Sequence, residues 1–432
     1  MSRKLPPQFE LKIEKLANNG EGVGFLDGKE INIFGAFPGE LVLAKPTTRK
    51  KRIWKAELLE VLKASKERRE KKENHYLSCG PWQTIDEKTQ LEYKKKPVID
   101  AFRNELGFNL PDPEIIESDD KFHYRNKMEF SFTEVEGVLS LALHKRYRHG
   151  QYSELSSCCL AQEKINAVSA RVLDRLKKEG IKNSQLKNLL LRYSKKENKC
   201  LAILFVVDKE IKLFNFDDKD ILGWQIIYSD PLSPTTKTTE LLLKNGKDTV
   251  VENISGVDLE YYYDSFFQVN PPAFEKIIEY LSENVEKNKV LVDLYSGVGT
   301  IGLALNKKFS YIHMIEFDQK ASQISLKNAK RNNIENIKAY GGEAEKQELS
   351  QYLGEADTLV VDPPRSGMHP RAIKQILEIS PKNFIYVSCN PYTQVRDMET
   401  IKEKYKIIKW RLFDFYPQTP HLESVLVLER QV

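Results

Sequence analysis

The sequence has few cysteines and no long hydrophobic run. Five cysteines in 432 residues are too few for a disulfide framework and favour a reducing compartment. No segment approaches the roughly 20 apolar residues that a membrane-spanning helix needs. The polar N-terminal residues predict no secretory signal. These absences argue against a disulfide-stabilised secreted domain and a membrane protein, and they predict a cytoplasmic protein.

A strong excess of one charge is also absent, since the net charge is only +5. The basic residues nevertheless cluster at 49–52 and 144–149, and each cluster has an aromatic residue within or beside it. Such clusters suit phosphate contacts and base stacking on single-stranded nucleic acid. Either cluster alone is more often a solvated charged face. Together with the motifs described below, they favour RNA as the partner.

The distribution of turn residues and apolar segments predicts three domains, as expected for this length. Residues 1–64 alternate short apolar segments with glycine turns, which predicts a small β-barrel. Residues 65–256 mix strands with amphipathic helices and predict a central α+β domain that binds RNA. Residues 257–432 alternate strand and helix, which is typical of a doubly wound parallel sheet. The predicted fold class is therefore α/β, with two smaller domains preceding the last one.

A buried-strand pattern at 289–294 leads into a glycine-rich segment at 295–302. Gly297 and Gly299 allow the backbone to approach a ligand at the start of the next helix. This spacing also fits the dinucleotide fingerprint of a dehydrogenase. However, Asp293 could bind a ligand's amino group, and Glu316 at the end of the next strand could bind ribose hydroxyls. The pattern favours S-adenosylmethionine, which has no pyrophosphate.

Two later strands end in groups that hydride transfer does not need. One leads into Asp362, and the other ends at Cys389. Ligands of open α/β sheets bind at the carboxyl ends of the strands, so a cysteine beside an acid there is a candidate nucleophile. A lone cysteine at a strand end is more often a small buried hydrophobe. The joint occurrence of these groups, in the order of one sheet, favours catalysis.

These groups suit methylation of uracil at carbon 5. That carbon becomes nucleophilic once a thiolate adds to carbon 6, and a base must then remove its proton so that the thiol can leave. We predict that Cys389 is the nucleophile, that Glu423 is the base and that Asp362 holds the uracil edge. Amide hydrogen bonds and a stacking ring are expected from one segment, at Gln268, Asn270 and Phe266.

Several motifs together resemble the RNA uracil-C5 methyltransferases that use S-adenosylmethionine. They are FFQVN (266–270), DLYSGVGTIG (293–302), DPPRSG (362–367), SCNP (388–391) and HLE (421–423). The resemblance covers nearly the whole chain and implies a Rossmann-like class I methyltransferase domain. It also implies Cys389 as nucleophile and Glu423 as proton acceptor. Further cofactor or base contacts are expected from Gln268, Asp293, Tyr295, Gly297, Gly299, Glu316, Glu343, Asp362 and Arg365.

Residues 16–24 and 35–40 resemble a TRAM domain, an OB-like RNA-binding barrel. In this family the barrel favours 23S ribosomal RNA as substrate, because some transfer-RNA members lack it. A transfer-RNA T-loop enzyme is the alternative, and a non-catalytic ribosome assembly factor is the alternative of another class. Residues 124–127 also match the family and are expected to contact RNA. We expect a monomer that needs neither a protein partner nor a membrane.

Many TRAM-bearing members hold an iron–sulfur cluster with four cysteines, and this sequence departs from that pattern. Only Cys79 remains near the usual position, with Glu73 and Trp82 at the other local ligand positions. Cys158 or Cys159 matches the distant fourth cysteine. A cubane cluster ordinarily needs four thiolates. We therefore predict no cluster and no metal site, with Cys79 and Cys158 as reduced thiols that could lie close together.

Overall fold

The computed structural model describes residues 5–431, apart from residues 51, 109–110, 149, 234, 288, 343–347 and 354–355. Three sheets of six, seven and eight strands, together with one hairpin, contain the described strands. Within these residues, every helix is too short or too polar to cross a lipid bilayer.

The N-terminal domain is a six-stranded sheet in the order β1-β5-β6-β4-β3-β2. Its strands are β1 (Phe9–Lys12), β2 (Lys15–Leu16), β3 (Gly22–Leu26), β4 (Lys29–Ile33), β5 (Leu41–Lys50) and β6 (Ile53–Lys63). Apolar residues alternate with exposed ones along β1, as a strand with one buried face requires. The domain is consistent with the small barrel expected from the sequence.

The central domain is a seven-stranded sheet in the order β10-β9-β8-β11-β12-β13-β14. Two helices and one strand precede this sheet in the chain: α1 (Tyr76–Cys79), α2 (Glu87–Leu106) and β7 (Glu114–Glu117). The sheet and its helix are β8 (Lys127–Val135), β9 (Val138–His144), β10 (Tyr152–Glu154), α3 (Glu163–Lys178), β11 (Leu186–Ser194), β12 (Lys199–Val206), β13 (Ile221–Tyr228) and β14 (Glu240–Gly246). Helix α3 packs on the sheet through fully buried Ile165, Val168, Val172 and Leu176. A hairpin of β15 (Thr249–Ile254) and β16 (Val257–Tyr262) follows.

The C-terminal domain is an eight-stranded sheet in the order β19-β18-β17-β20-β21-β23-β22-β7. Its elements are α4 (Pro271–Glu283), β17 (Lys289–Leu294), α5 (Thr300–Ala304), β18 (Phe309–Glu316), α6 (Gln319–Arg331), β19 (Ile337–Gly341), α7 (Ser350–Leu353), β20 (Thr358–Val361), α8 (Pro370–Ile379), β21 (Asn383–Ser388), α9 (Pro391–Ile401), β22 (Tyr405–Asp414) and β23 (Glu423–Arg430). Strands β17 to β21 are parallel, whereas β23 is antiparallel to both of its neighbours. This arrangement confirms the predicted class I methyltransferase fold.

Helix α2 and strand β7 pack with the C-terminal sheet, although they precede the central sheet in sequence. Strand β7 pairs in parallel with β22 at the sheet edge. Phe102 of α2 lies against Trp410, with ring centroids 4.3 Å apart, and shares a core with residues of α9. The domain boundaries at residues 64 and 256 stay predictions, but α2 and β7 belong by packing to the sheet that carries the candidate site.

Candidate active site

The predicted catalytic groups lie at one edge of the C-terminal sheet. Asp362 directly follows β20 and Cys389 directly follows β21, and these two strands are parallel neighbours. Glu423 begins β23, which pairs antiparallel with β21 so that Ser424 lies opposite Ser388. The start of β23 therefore meets the end of β21. This register brings the thiol and both carboxyl groups to the same crevice, as expected for ligand binding in this fold.

The glycine-rich loop after β17 is held by two acidic side chains. Asp293 is fully buried, and its Oδ2 accepts a hydrogen bond of 2.8 Å from the amide of Gly302. A Cβ atom at Gly302 would lie only 3.0 Å from that oxygen, which explains the glycine. Glu316 Oε2 accepts a 2.7 Å bond from the amide of Gly297. The backbone φ is positive at Tyr295, as it is at Gly297 and Gly299, so the loop turns sharply.

The buried carboxyl groups of this crevice retain protons more strongly than usual. Burial raises the pKa of Asp293 to about 8, and the negative charges of Asp362 and Glu316 add to the shift. Burial also raises the pKa of Asp362 to about 7. The pKa of Glu423 is raised well above its usual value, first by burial and then by Asp362. A positively charged ligand would favour the ionised form of these desolvated acids, so the cluster suits such a ligand.

Two oxygens of this cluster are left for a ligand. Among the described residues, neither Oδ1 of Asp293 nor Oε2 of Glu423 has a hydrogen-bond partner. Buried oxygens without partners are costly, and a bound group usually satisfies them. S-adenosylmethionine carries a cationic ammonium group and a cationic sulfonium group, so the chemistry of the donor set fits this cofactor.

Cys389 is partly exposed at the mouth of the crevice. Burial raises the pKa of its thiol to about 12, with further upward shifts from the charges of Glu423 and Asp362, while Arg365 opposes them. The thiol therefore holds its proton at neutral pH. The loop that carries Arg365 is fixed beside it, because the side-chain amide of Asn390 donates a 2.9 Å bond to the Arg365 carbonyl.

Two further side chains contact the carboxyl groups, and an exposed aromatic ring lies two residues before one of them in the sequence. Tyr416 donates a 3.4 Å hydrogen bond from its hydroxyl to Glu423 Oε1. Gln268 Nε2 lies 3.5 Å from Asp362 Oδ2. Phe266 is 74% exposed, whereas the neighbouring Phe267 is buried and stacks on Tyr261 with ring centroids 4.0 Å apart. Phe266 is thus the aromatic ring of this segment that is presented to solvent.

Asn270 and residues 124–127 have different surroundings from those expected. Asn270 caps α4 and is fully buried, with its amide bonded to Ser118 and to the Phe415 carbonyl. These contacts occupy the amide, so its predicted base contact has no support from this geometry. Tyr124 is buried and donates its hydroxyl proton to the Pro417 carbonyl, and Asn126 donates to the Gln268 carbonyl. The expectation that residues 124–127 contact RNA is therefore wrong for Tyr124 and Asn126, which brace the loops of the site.

One other predicted contact, Glu343, lies outside the described residues.

A cavity of about 350 Å³ joins Cys389 to the N-terminal domain. Its lining residues come from all three regions of the chain and include Leu16, Asn19, Trp82, Lys94, Arg365, Cys389 and His421. Gly20 has a φ of +81°, and a Cβ atom there would lie 2.2 Å from the Cβ of Pro420. Trp82 Nε1 also donates a 3.1 Å bond to the Gly20 carbonyl. The barrel loop therefore forms one wall of the cavity, which the sequence motif of this loop did not reveal.

The basic cluster at 144–149 contributes to the joint between the barrel and the central domain. Glu21 of the barrel forms an ion pair with Lys55 and accepts a hydrogen bond from the hydroxyl of Tyr147. Arg148 pairs with Glu57 at 2.8 Å. Part of the charge that predicted RNA binding thus stabilises the contact between these domains.

The fold and the strand-end groups together define a class I methyltransferase that uses S-adenosylmethionine. A sequence model of the tRNA (Uracil-5-)-methyltransferase family matches residues 86–431. Since this match covers most of the sequence, the chain belongs to that family, whose methyl donor is S-adenosylmethionine.

Relatives and a solved structure are similar to this chain over nearly its full length. An RNA methyltransferase of Lactobacillus johnsonii is 30% identical over 450 residues, which cover 98% of each chain. One of Clostridium tetani is 29% identical over 459 residues, covering 100% of this chain and 99% of the relative. The Pyrococcus abyssi tRNA (uracil-54, C5)-methyltransferase in complex with S-adenosyl-L-homocysteine has a TM-score of 0.78 and 24% identity, covering 97% of this chain and 100% of its own. At that identity the structural likeness establishes the fold.

Proposed function

We propose that this enzyme methylates carbon 5 of a uridine in RNA through a covalent bond from Cys389 to carbon 6. The observation that supports this most strongly is the meeting of Cys389, Glu423 and Asp362 at one crevice, next to the cavity lined by the barrel loop. A non-catalytic RNA-binding factor would have no use for a partly exposed thiol beside two buried acids.

In the first step the Cys389 sulfur bonds to carbon 6, and the ring electrons move toward carbon 5 and oxygen 4. Burial raises the pKa of this thiol to about 12, so it must release its proton to solvent water before the sulfur adds to carbon 6. Arg365 favours the thiolate. Asp362, whose pKa is about 7, and Gln268 can hydrogen-bond the uracil edge and stabilise the developing negative charge.

In the second step carbon 5 takes the electrophilic methyl group that S-adenosylmethionine supplies. Carbon 5 then carries both a methyl group and its original proton. The Glu423 carboxylate removes that proton, the freed electron pair re-forms the double bond between carbons 5 and 6, and the Cys389 sulfur leaves as a thiolate. A carboxyl group with a raised pKa is a stronger base than an ordinary glutamate, which suits removal of a carbon-bound proton.

The cofactor contacts are proposed for the loop and strand ends that carry buried acids. Asp293 and Asp362 are proposed to ionise against the cationic groups of the cofactor, and Glu316 is proposed to contact its ribose hydroxyls. The loop at Tyr295, Gly297 and Gly299 forms the adjoining wall. Phe266 is proposed to stack on a base of the RNA, because an exposed aromatic ring beside a catalytic crevice suits an unpaired nucleotide.

We propose 23S ribosomal RNA as the substrate, with the barrel as an additional RNA-binding surface. The wall that the barrel loop contributes to the Cys389 cavity supports a role for the barrel in holding the flipped nucleotide. Transfer RNA is the second candidate. The Pyrococcus abyssi transfer-RNA enzyme aligns with 97% of this chain, so this overall architecture is compatible with a transfer-RNA substrate as well.

Nucleotide mapping distinguishes the two candidates. Total RNA from a strain lacking the gene is separated into ribosomal and transfer RNA, incubated with purified enzyme and labelled S-adenosylmethionine, and digested for mass spectrometry. We expect 5-methyluridine at defined positions of 23S RNA and no label in transfer RNA. If label appears only in transfer RNA, then transfer RNA is the substrate and the proposed chemistry still holds. Methylation at another atom would overturn the proposed mechanism.

A further inference from the structure

A second group of reactive side chains lies apart from the Cys389 cavity. Glu73, His75, Cys79 and Cys158 each direct one possible ligand atom to a common point, and these four atoms lie within 4.8 Å of one another. His75, Cys79 and Cys158 are at most 5% exposed. The turn that precedes α3 supplies Cys158, and the other three come from the segment around α1.

The contacts within this group are short and incomplete. Cys79 Sγ lies 2.7 Å and Cys158 Sγ 3.9 Å from Glu73 Oε1. His75 Nε2 lies 3.2 Å from Glu73 Oε2. This contact has the length of an ion pair but not the alignment of a good hydrogen bond. A buried imidazole nitrogen that converges with two thiols and a carboxylate has the surroundings of a metal ligand.

The group does not fit the four-cysteine iron–sulfur cluster of related enzymes. A cubane binds through four thiolates, and this group contains two. The sequence-based prediction of no metal site rested on the number of cysteines and did not consider His75 as a ligand. An imidazole, a carboxylate and two thiols are instead the ligand types of a single tetrahedral zinc ion.

We propose that Glu73, His75, Cys79 and Cys158 bind one Zn²⁺ ion as a structural site. With zinc–sulfur bonds of about 2.3 Å and zinc–nitrogen or zinc–oxygen bonds of about 2.0 Å, neighbouring ligands of a tetrahedral site lie about 3.3–3.8 Å apart. The widest separations, which lie within 4.8 Å, must contract to reach these values, and the 2.7 Å contact between Cys79 Sγ and Glu73 Oε1 must widen. Four protein ligands leave no open position, as is usual for a structural rather than a catalytic zinc site.

Neighbouring groups orient the ligands and balance their charge. Gln83 Nε2 donates to Glu73 Oε1 at 2.8 Å and to Cys79 Sγ at 3.5 Å. The amide of Cys159 donates to Glu73 Oε2 at 2.8 Å, which leaves Oε1 directed at the thiols. Two thiolates and a carboxylate around Zn²⁺ carry one net negative charge. Arg125, whose Nη2 donates to the Cys79 carbonyl at 3.2 Å, supplies a compensating positive charge.

The position of the group indicates what the ion would stabilise. It would tie the segment containing α1 to the turn before α3. Three residues after Cys79, the backbone amide of Trp82 donates to the Gln418 carbonyl, and Trp82 itself lines the Cys389 cavity. The ion would therefore fix one wall of the cavity without contacting substrate.

Metal analysis of the full-length protein tests this proposal. The protein is produced in medium supplemented with zinc sulfate, and its zinc, iron and acid-labile sulfide are measured. We expect about one zinc per chain and neither iron nor sulfide in stoichiometric amounts. Replacement by Co²⁺ should give the visible absorption of a tetrahedral cobalt site with thiolate charge-transfer bands. A protein that contains iron and sulfide, or one that stays free of zinc after loading, would overturn the proposal.

Cysteine variants locate the ion. Cys79→Ala and Cys158→Ala should each reduce the zinc content at least about fivefold, since a structural site rarely tolerates the loss of a thiolate. The control Cys200→Ala removes another fully buried thiol and should retain the ion. Cys159→Ala should also retain it, which separates the adjacent cysteines. Full zinc content in Cys158→Ala would place the ion elsewhere, and the cobalt spectrum of the wild-type protein remains decisive if a variant fails to fold.

Discussion

Two cysteine sites of this enzyme differ in access and in charge. Cys389 is partly exposed at a strand end and lines a cavity of about 350 Å³. Nearby acids raise the pKa of its thiol, whereas Arg365 lowers it. Cys79 and Cys158 are buried, and both lie beside Glu73. Carboxylates accompany thiols in both places, so acidic neighbours alone do not define the role of a thiol. Access to substrate marks the nucleophile, whereas convergence of four ligand atoms marks the candidate metal site.

The largest expected effect separates the roles of these cysteines. Cys389→Ala should reduce methyl transfer by more than about 10³-fold, because it removes the proposed nucleophile for carbon 6. The dissociation constant for S-adenosylmethionine should stay within about twofold, since the thiol does not hold the cofactor. The matched control Cys200→Ala should keep the single-turnover rate. Near wild-type turnover by Cys389→Ala would remove the distinction between the two sites.

The next effect concerns the base beside Cys389. Glu423→Gln should slow turnover by about 10²–10³-fold, because the amide cannot accept the carbon-5 proton. The covalent RNA complex should accumulate and migrate slowly in denaturing gels. The same complex should be absent from a variant that also carries Cys389→Ala. If Glu423→Gln turns over at the wild-type rate, another group must be the base.

A smaller effect is expected for Asp293, which has no thiol beside it. Burial raises its pKa from 3.8 to about 8, so the folded protein holds a proton that the unfolded chain releases between these pH values. This group therefore makes the free energy of unfolding fall as the pH rises, by up to about 1.4 kcal/mol per pH unit. In Asp293→Asn that contribution should vanish, so the variant should gain stability relative to wild type between pH 5 and pH 8.

Asp293→Asn should also weaken S-adenosylmethionine binding about tenfold, since the amide cannot ionise in response to the cofactor's ammonium group as a carboxyl group can. Denaturant unfolding at both pH values and calorimetric titration of the cofactor provide the two measurements. Equal pH dependence in both proteins would show that Asp293 is ionised in the folded state.

The smallest expected effect concerns Phe266, the exposed ring two residues before Gln268. Phe266→Ala should raise the KM for RNA about fivefold or more, because stacking on a base contributes about 1–3 kcal/mol. Cofactor affinity should be unchanged, and Phe266→Tyr should restore binding. An unchanged KM for Phe266→Ala would mean that this exposed ring has no part in RNA recognition.

The sequence predicted the C-terminal domain and its strand-end groups well, because local patterns determine both. The apolar runs before Asp362 and Cys389 predict strands, and a parallel sheet brings the ends of such strands together. The approach of Gly20 to Pro420 depends on packing between opposite ends of the chain, which no local pattern records. His75 was overlooked for a related reason, since it becomes a candidate metal ligand only when the fold brings Cys158 beside it. Asn270 carries a side chain that suits both ligand binding and helix capping, and the sequence alone does not distinguish these uses.

The covalent bond between Cys389 and the pyrimidine is the central claim, and a trapped adduct tests it most directly. In a substrate RNA with 5-fluorouridine at the methylated position, carbon 5 carries fluorine instead of hydrogen. A base cannot remove fluorine as it removes a proton, so the reaction should stop after methyl transfer with the covalent bond intact. Mass spectrometry of the digested complex should then find the peptide containing Cys389 joined to a methylated 5-fluorouridine nucleotide. An adduct on a different residue, or none from an enzyme that methylates the matching uridine RNA, would contradict this mechanism.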